Sequence, residues 1–124
     1  MNLEIKDYWE LLALHKSLMA VKFDPDGYLK EAQGSPLTSS LAFKVFDLLV
    51  STSKKEGKTA QAEGWLSWQN ADKSRLETEL LLKRISESEW WSEADLDRRE
   101  KFIVDFMSPL ILNEEIKNEI IRNC

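Results

Sequence analysis

Between residues 87 and 97 the chain places five carboxylates, Glu87, Glu89, Glu93, Asp95 and Asp97, around the tryptophan pair Trp90 and Trp91, with no base among them. The charge of that run equals the formal net charge of −5 carried by all 124 residues, so the remainder is neutral as a whole. Tryptophans are frequent energetic anchors of protein interfaces, and like charges around them orient a partner of opposite sign. The chemistry on offer is recognition: an aromatic anchor ringed by carboxylates, suited to a basic protein surface. Neighbouring residues on a helix point about 100° apart, so the two indoles cannot share one narrow inner stripe. Either one reaches the surface, or the pair sits in a bend and plugs the junction between two helices with the acids as a solvated rim. No spacing here marks a catalytic pair of carboxylates, and Glu-x-x-His, Gly-x-Ser-x-Gly and glycine-rich phosphate patterns are absent from the chain.

Three further constellations bear on chemistry. Residues 22–33 overlay in part on a calcium-binding EF-hand loop, with Asp24 and Asp26 at the third and fifth positions and Gly27 at the sharp turn. Lys22 and Gln33 stand where that loop needs its first and last oxygen ligands, so the reading is a helix-stopping turn and no metal site. His15, the only histidine, lies on an apolar helical arc. A lone histidine on a small helical bundle invites comparison with histidine phosphotransfer domains. Those resemble His-x-x-Lys-Gly, whereas Leu18 and Met19 occupy the lysine and glycine places, which favours a packed structural imidazole. Finally, Lys54, Lys55 and Lys58, with Lys44 before them, form the one basic concentration, and Trp65 and Trp68 follow. Together they outline an alternative, a surface for single-stranded nucleic acid. Glu56 interrupts the lysines and Trp65 fits a core stripe, which argues for a solvated loop instead.

The elements that position these residues are helical. Leucine outnumbers valine plus isoleucine 18 to 11, and four glycines with three prolines are too few for a sheet of several hairpins. Charged residues at 31% and apolar residues at 43% are those of a folded domain, and a chain of this length buries roughly two-thirds of its unfolded surface. Residues 3–23 set Tyr8, Trp9, Leu11, Leu12, Leu14, His15, Leu18, Met19 and Val21 on one arc at helical spacing. Asp24, Pro25, Asp26 and Gly27 end that helix, and a helical turn over 28–33 follows.

Ser35 and Pro36 supply a cap and a first-position proline for a helix running to about Thr52. Its only polar strip is Ser40, Lys44, Asp47 and Ser51, so it is expected to be central, with Phe43, Phe46, Leu48 and Leu49 among the most buried side chains. Residues 59–86 repeat a helical pattern, with Ala62, Trp65, Leu66, Leu76 and Leu80 on one side. The stripe falters at Gln69 and Lys73 and restarts at a capping box beginning at Ser74. A looser cap at 92–95 opens a helix with Leu96, Ile103, Phe106 and Met107 inward, stopped by Ser108 and Pro109. The last helix, about 113–122, buries Leu112, Ile116 and Ile120.

The expectation is an all-α, compact single-domain bundle of about five helices spanning 1–124. No apolar run approaches the roughly 20 residues that span a bilayer, the acidic N-terminus lacks a signal-peptide pattern, and the single cysteine, Cys124, cannot form an internal disulfide. These features point to a cytoplasmic protein without cofactor or metal. With a pI near 5.0, basic protein partners are favoured over nucleic acid. The expected function is that of a small acidic interaction module, an adaptor, inhibitor or immunity-type protein, rather than an enzyme. It would bind through Trp90, Trp91, Glu87, Glu89, Glu93, Asp95 and Asp97. Phosphotransfer through His15 is the third expectation, and the oligomeric state is left open.

Overall fold

The computed structural model describes residues 1–124 and shows seven α-helices joined by short connections. They are α1 (Tyr8–Lys22), α2 (Lys30–Gln33), α3 (Pro36–Lys55), α4 (Thr59–Gln69), α5 (Leu76–Glu87), α6 (Leu96–Met107) and α7 (Glu114–Asn123). The chain is all-α. Its only extended pairing is β1 (Asn70–Ala71) against β2 (Ile111–Leu112), two parallel residues each, which clip the α4–α5 connection to the α6–α7 connection. Gln69 reinforces the clip by donating to the Pro109 carbonyl at 3.0 Å. No helix is long and apolar enough to cross a membrane.

Local chemistry sets most of the helix starts. Asp7 accepts from the Glu10 amide, Ser35 from Thr38, Asp95 from Arg98, and Asn113 from Glu115 and Ile116, so four helices begin on a side-chain oxygen that satisfies orphan amides. The capping box expected at Ser74 does not form. Ser74 turns back onto the Asp72 carboxylate, α5 starts at Leu76, and Glu77 pairs with Arg75 at 2.7 Å. The helix count exceeds the expected five because the turn expected over 28–33 closes a helix at 30–33 and the break expected after Gln69 separates α4 from α5.

The core is uneven. Its larger cluster lies in the C-terminal half, where Leu80, Leu81 and Ile85 of α5 meet Ile103, Phe106 and Met107 of α6, Ile120 and Ile121 of α7, and Trp91. The N-terminal half holds two small clusters, Leu11 with Val45 and Leu49, and Phe46 with Val50 and Ala62. Between the halves runs a polar pin. Lys22, 0% exposed, donates from Nζ to Ser39 Oγ at 2.9 Å and to the Asp105 carbonyl at 2.8 Å, tying α1, α3 and α6. Ser39 also donates to that carbonyl.

Several apolar residues stand elsewhere than their spacing suggests. Phe46 and Leu49 are buried, but Phe43 is 49% and Leu48 48% exposed, so α3 is not covered on all sides. Its buried line is Ser39, Ala42, Phe46, Leu49 and Ser53, a seam that includes two serines. Ser53 fits because its hydroxyl donates to the Leu49 carbonyl at 2.7 Å and accepts from Gln61 at 2.7 Å. Trp9, Leu66, Leu76 and Leu96 are also exposed, the last two as the first residues of α5 and α6.

Candidate functional site

After α5 the chain bends through Ser88 to Trp90, makes one 3₁₀ turn at Trp91–Glu93, and enters α6 at the Asp95 cap. The bend is what separates the two indoles. Trp91 is 4% exposed and belongs to the main core; its Nε1 donates to the Cys124 carbonyl at 2.9 Å. Arg99 lies over the Trp91 ring, 5.0 Å from its centroid, and donates to the carbonyls of Trp91 at 3.0 Å and Ile121 at 2.7 Å. Trp91 therefore fastens α7 to the α5–α6 junction. Trp90 is half-buried, edge-on to Phe102 at 5.1 Å between centroids, with the Arg98 guanidinium 4.7 Å above its ring.

The five carboxylates also divide. Asp95 is a helix cap, accepting from the Arg98 amide at 2.8 Å, and Glu87 pairs with Arg84 at 3.4 Å. Glu89, Glu93 and Asp97 are exposed and form no ion pair. Arg84, Arg98 and Arg99, just outside the sequence window, return to it in the fold and leave a local charge of −2. Next to Glu89 and Glu93 in the chain, Ser88 and Ser92 line a groove of about 400 Å³ together with Leu82, Ile85, Ser86, Trp91 and Cys124. An apolar floor and unpaired rim carboxylates can seat an apolar or long basic side chain.

The turn after α1 is filled by protein. Arg84 donates from Nη2 to the carbonyls of Asp24 at 3.3 Å and Pro25 at 3.1 Å, and from Nε to Gln33 Oε1 at 3.0 Å. Gln33 in turn donates to the Asp24 carbonyl at 2.8 Å. A guanidinium thus sits against the carbonyl oxygens of the loop, and no group of three or more metal-type ligands converges anywhere in the fold. Gly27 has φ +65°, and a Cβ built on it would lie 2.5 Å from the pinned Arg84 Nη2. Gly27→Ala is expected to cost about 1–2 kcal/mol from the left-handed backbone alone, with displacement of Arg84 adding to it. A denaturation midpoint equal to that of the wild type would show that the turn is not locked in this way.

His15 is 3% exposed and enclosed by Trp65, Trp68 and Phe46, the first two edge-on at 5.1 and 5.2 Å. Its Nδ1 is buried without a partner. Burial, and next the Lys16 charge, hold its pKa below the ordinary histidine value. The folded state therefore resists protonation, and His15 contributes stability that is present above pH 6.5 and lost as pH falls from there through the lowered folded value. Replacing His15 with phenylalanine should flatten this acid-side loss in urea titrations; an unchanged pH profile would contradict it. As placed, Nδ1 of the imidazole is closed to an incoming phosphodonor.

Trp65 and Trp68, which the nucleic-acid reading needs on the surface, are half-buried around His15, with Trp65 donating to the Tyr8 hydroxyl at 3.2 Å. Lys54 and Lys55 end α3, while Lys58 pairs with Glu56 at 3.4 Å and lies 6.0 Å from the Tyr8 ring centroid. Sequence reasoning gave Arg84 and Arg99 no role, and Lys22 entered it only as the residue that breaks the calcium-loop pattern. Lys22 carried a readable signal, since it continues the 11, 15, 18 spacing of the inner face of α1. Compared with protein-family models, with curated proteins and with solved structures, the chain matches none.

Proposed function

We propose that the protein is a small acidic helical interaction module, of the adaptor, inhibitor or immunity type, that binds a basic protein surface stoichiometrically. The observation that carries this reading is the conjunction at the α5–α6 junction: Glu89, Glu93 and Asp97 are exposed and unpaired on a segment that also carries the half-buried Trp90 ring, and Ser88 and Ser92, chain neighbours of Glu89 and Glu93, line an apolar groove. Unpaired exposed carboxylates act at long range on encounter, whereas an apolar groove holds what arrives. The residues divide accordingly. Glu89, Glu93 and Asp97 steer, Trp90 and the groove anchor, and Trp91, Asp95 and Glu87 hold the platform in shape. The chemistry is binding rather than catalysis.

The test is capture from a native lysate by the full chain and by E89K/E93K, at low and moderate salt, with mass spectrometry and nucleic-acid staining of the eluate. The proposal expects a basic protein retained by the wild type and lost by the charge-reversed chain at equal folding. Retention of the same proteins by both chains contradicts it. Nucleic acid in the eluate that disappears with K54E/K55E/K58E would move the function to the lysine loop.

A further inference from the structure

α3 carries a second, unpartnered face. At helical spacing, about 130° round the helix from the buried line of Ser39, Ala42, Phe46, Leu49 and Ser53, the side chains of Leu37, Leu41 and Leu48 fall along one stripe and are 84%, 45% and 48% exposed. Single exposed leucines are ordinary, but three at spacings of four and seven on one helix make the pattern with which helices dock. Alongside runs the strip Ser40, Lys44, Asp47 and Ser51. Lys44 and Asp47 are exposed, and neither forms an ion pair within the chain.

We infer that this face is a self-association surface, and that its occupant is α3 of a second copy lying antiparallel across a two-fold axis near residue 45. The argument for a second copy is the order of the strip. A two-fold axis sets a surface against itself reversed, and antiparallel helices set each flank against the same flank of the partner copy. Reversed, Ser-Lys-Asp-Ser becomes Ser-Asp-Lys-Ser. In one register Ser40 faces Ser51 of the other copy, Lys44 faces Asp47, and Asp47 faces Lys44, so two ion pairs form that a single chain lacks. A slide of two residues from that register, about 3 Å of helix rise, brings Leu41 level with Leu48 of the other copy. A strip holding one charge of each sign has no net charge with which to select a strongly acidic or basic partner. It does match itself. The seam is one helix wide, below the roughly 800 Å² per partner of a standard interface, so association is weak and concentration-dependent.

Sedimentation equilibrium of the full chain with reductant, from ~5 to ~500 μM, tests this, the range being that expected of a small interface. The weight-average mass should climb from 14.4 kDa towards twice that value. K44E and D47K should each weaken association about tenfold at low salt by placing like charges opposite one another, and K44E/D47K should recover to within about threefold of the wild type. L48D should stay monomeric throughout with an unchanged melting temperature at ~5 μM, where the wild type is itself monomeric. A monomer at every concentration overturns the inference. So does a dimer indifferent to L48D, a double variant no better than either single one, or a lowered melting temperature for L48D at the dilute end, which would make Leu48 part of the packing. Dimers of wild type and L48D alike would place self-association on another face.

Discussion

Replacing Trp91 with alanine is expected to lower the stability of the chain by about 3–5 kcal/mol, as truncations of enclosed aromatic side chains do. The indole is almost wholly buried in the main cluster, so its removal leaves a cavity between α5, α6 and α7. It also ends the Nε1 bond to the Cys124 carbonyl and strips the Arg99 guanidinium of the ring beneath it. Trp90, half-buried at the edge of the same cluster, should lose much less when truncated. Chemical denaturation of the two variants reads the difference directly. Equal losses would mean that the bend at 88–90 does not separate the two rings as described.

The second large effect belongs to Lys22. Its ammonium is enclosed with one hydroxyl and one carbonyl for partners, and burial pushes its pKa down to about 8 against the pull of the Asp105 charge. The unfolded chain holds that proton up to about pH 10.5 while the folded chain releases it near 8, so between these values the unfolded state binds more protons and stability rises with pH. The contribution is fully present above pH 10.5 and lost as pH falls through about 8. Integrated over the window, it is about 3 kcal/mol at 1.36 kcal/mol per pKa unit. Other lysines and tyrosines also titrate there, so the quantity to measure is the difference between wild type and K22M in urea midpoints from pH 7.5 to 10.5. A rising difference in favour of the wild type is expected. A constant one would show that Lys22 keeps its ordinary basicity.

The two α3 phenylalanines show what periodicity conveys. Apolar spacing placed Phe43 and Phe46 on one helix, and the helix and its start held, because the cap at Ser35 and the proline at 36 are local chemistry, while its end lies at Lys55, past the expected Thr52. Which arc of that helix is buried depends on where α1, α4 and α6 lie, and no local rule supplies that; hence Phe46 is inside and Phe43 outside. The polar core misled for the same reason. Ser39 and Lys22 are surface types by composition, buried because each satisfies the other. At the candidate site the acidic run and the tryptophan pair were legible in sequence, as was a bend at the pair as one of two arrangements. The neutralising arginines were not, since Arg84 reaches the turn at Asp24 and Pro25 across some sixty residues of chain.

That division of labour at the α5–α6 junction is the central claim, and association kinetics test it most directly. Once a basic partner has been captured, its association and dissociation rates with wild type, E89K/E93K and W90A are measured by surface plasmon resonance at ~50 and ~200 mM salt, a range over which the screening length of surface charges shortens about twofold. The account predicts slower association for E89K/E93K, with the deficit shrinking at higher salt and the melting temperature unchanged, and faster dissociation for W90A at a cost of about 2 kcal/mol. Wild-type rates for both variants, at both salt concentrations, would contradict it and reduce the segment to core packing with a solvated rim.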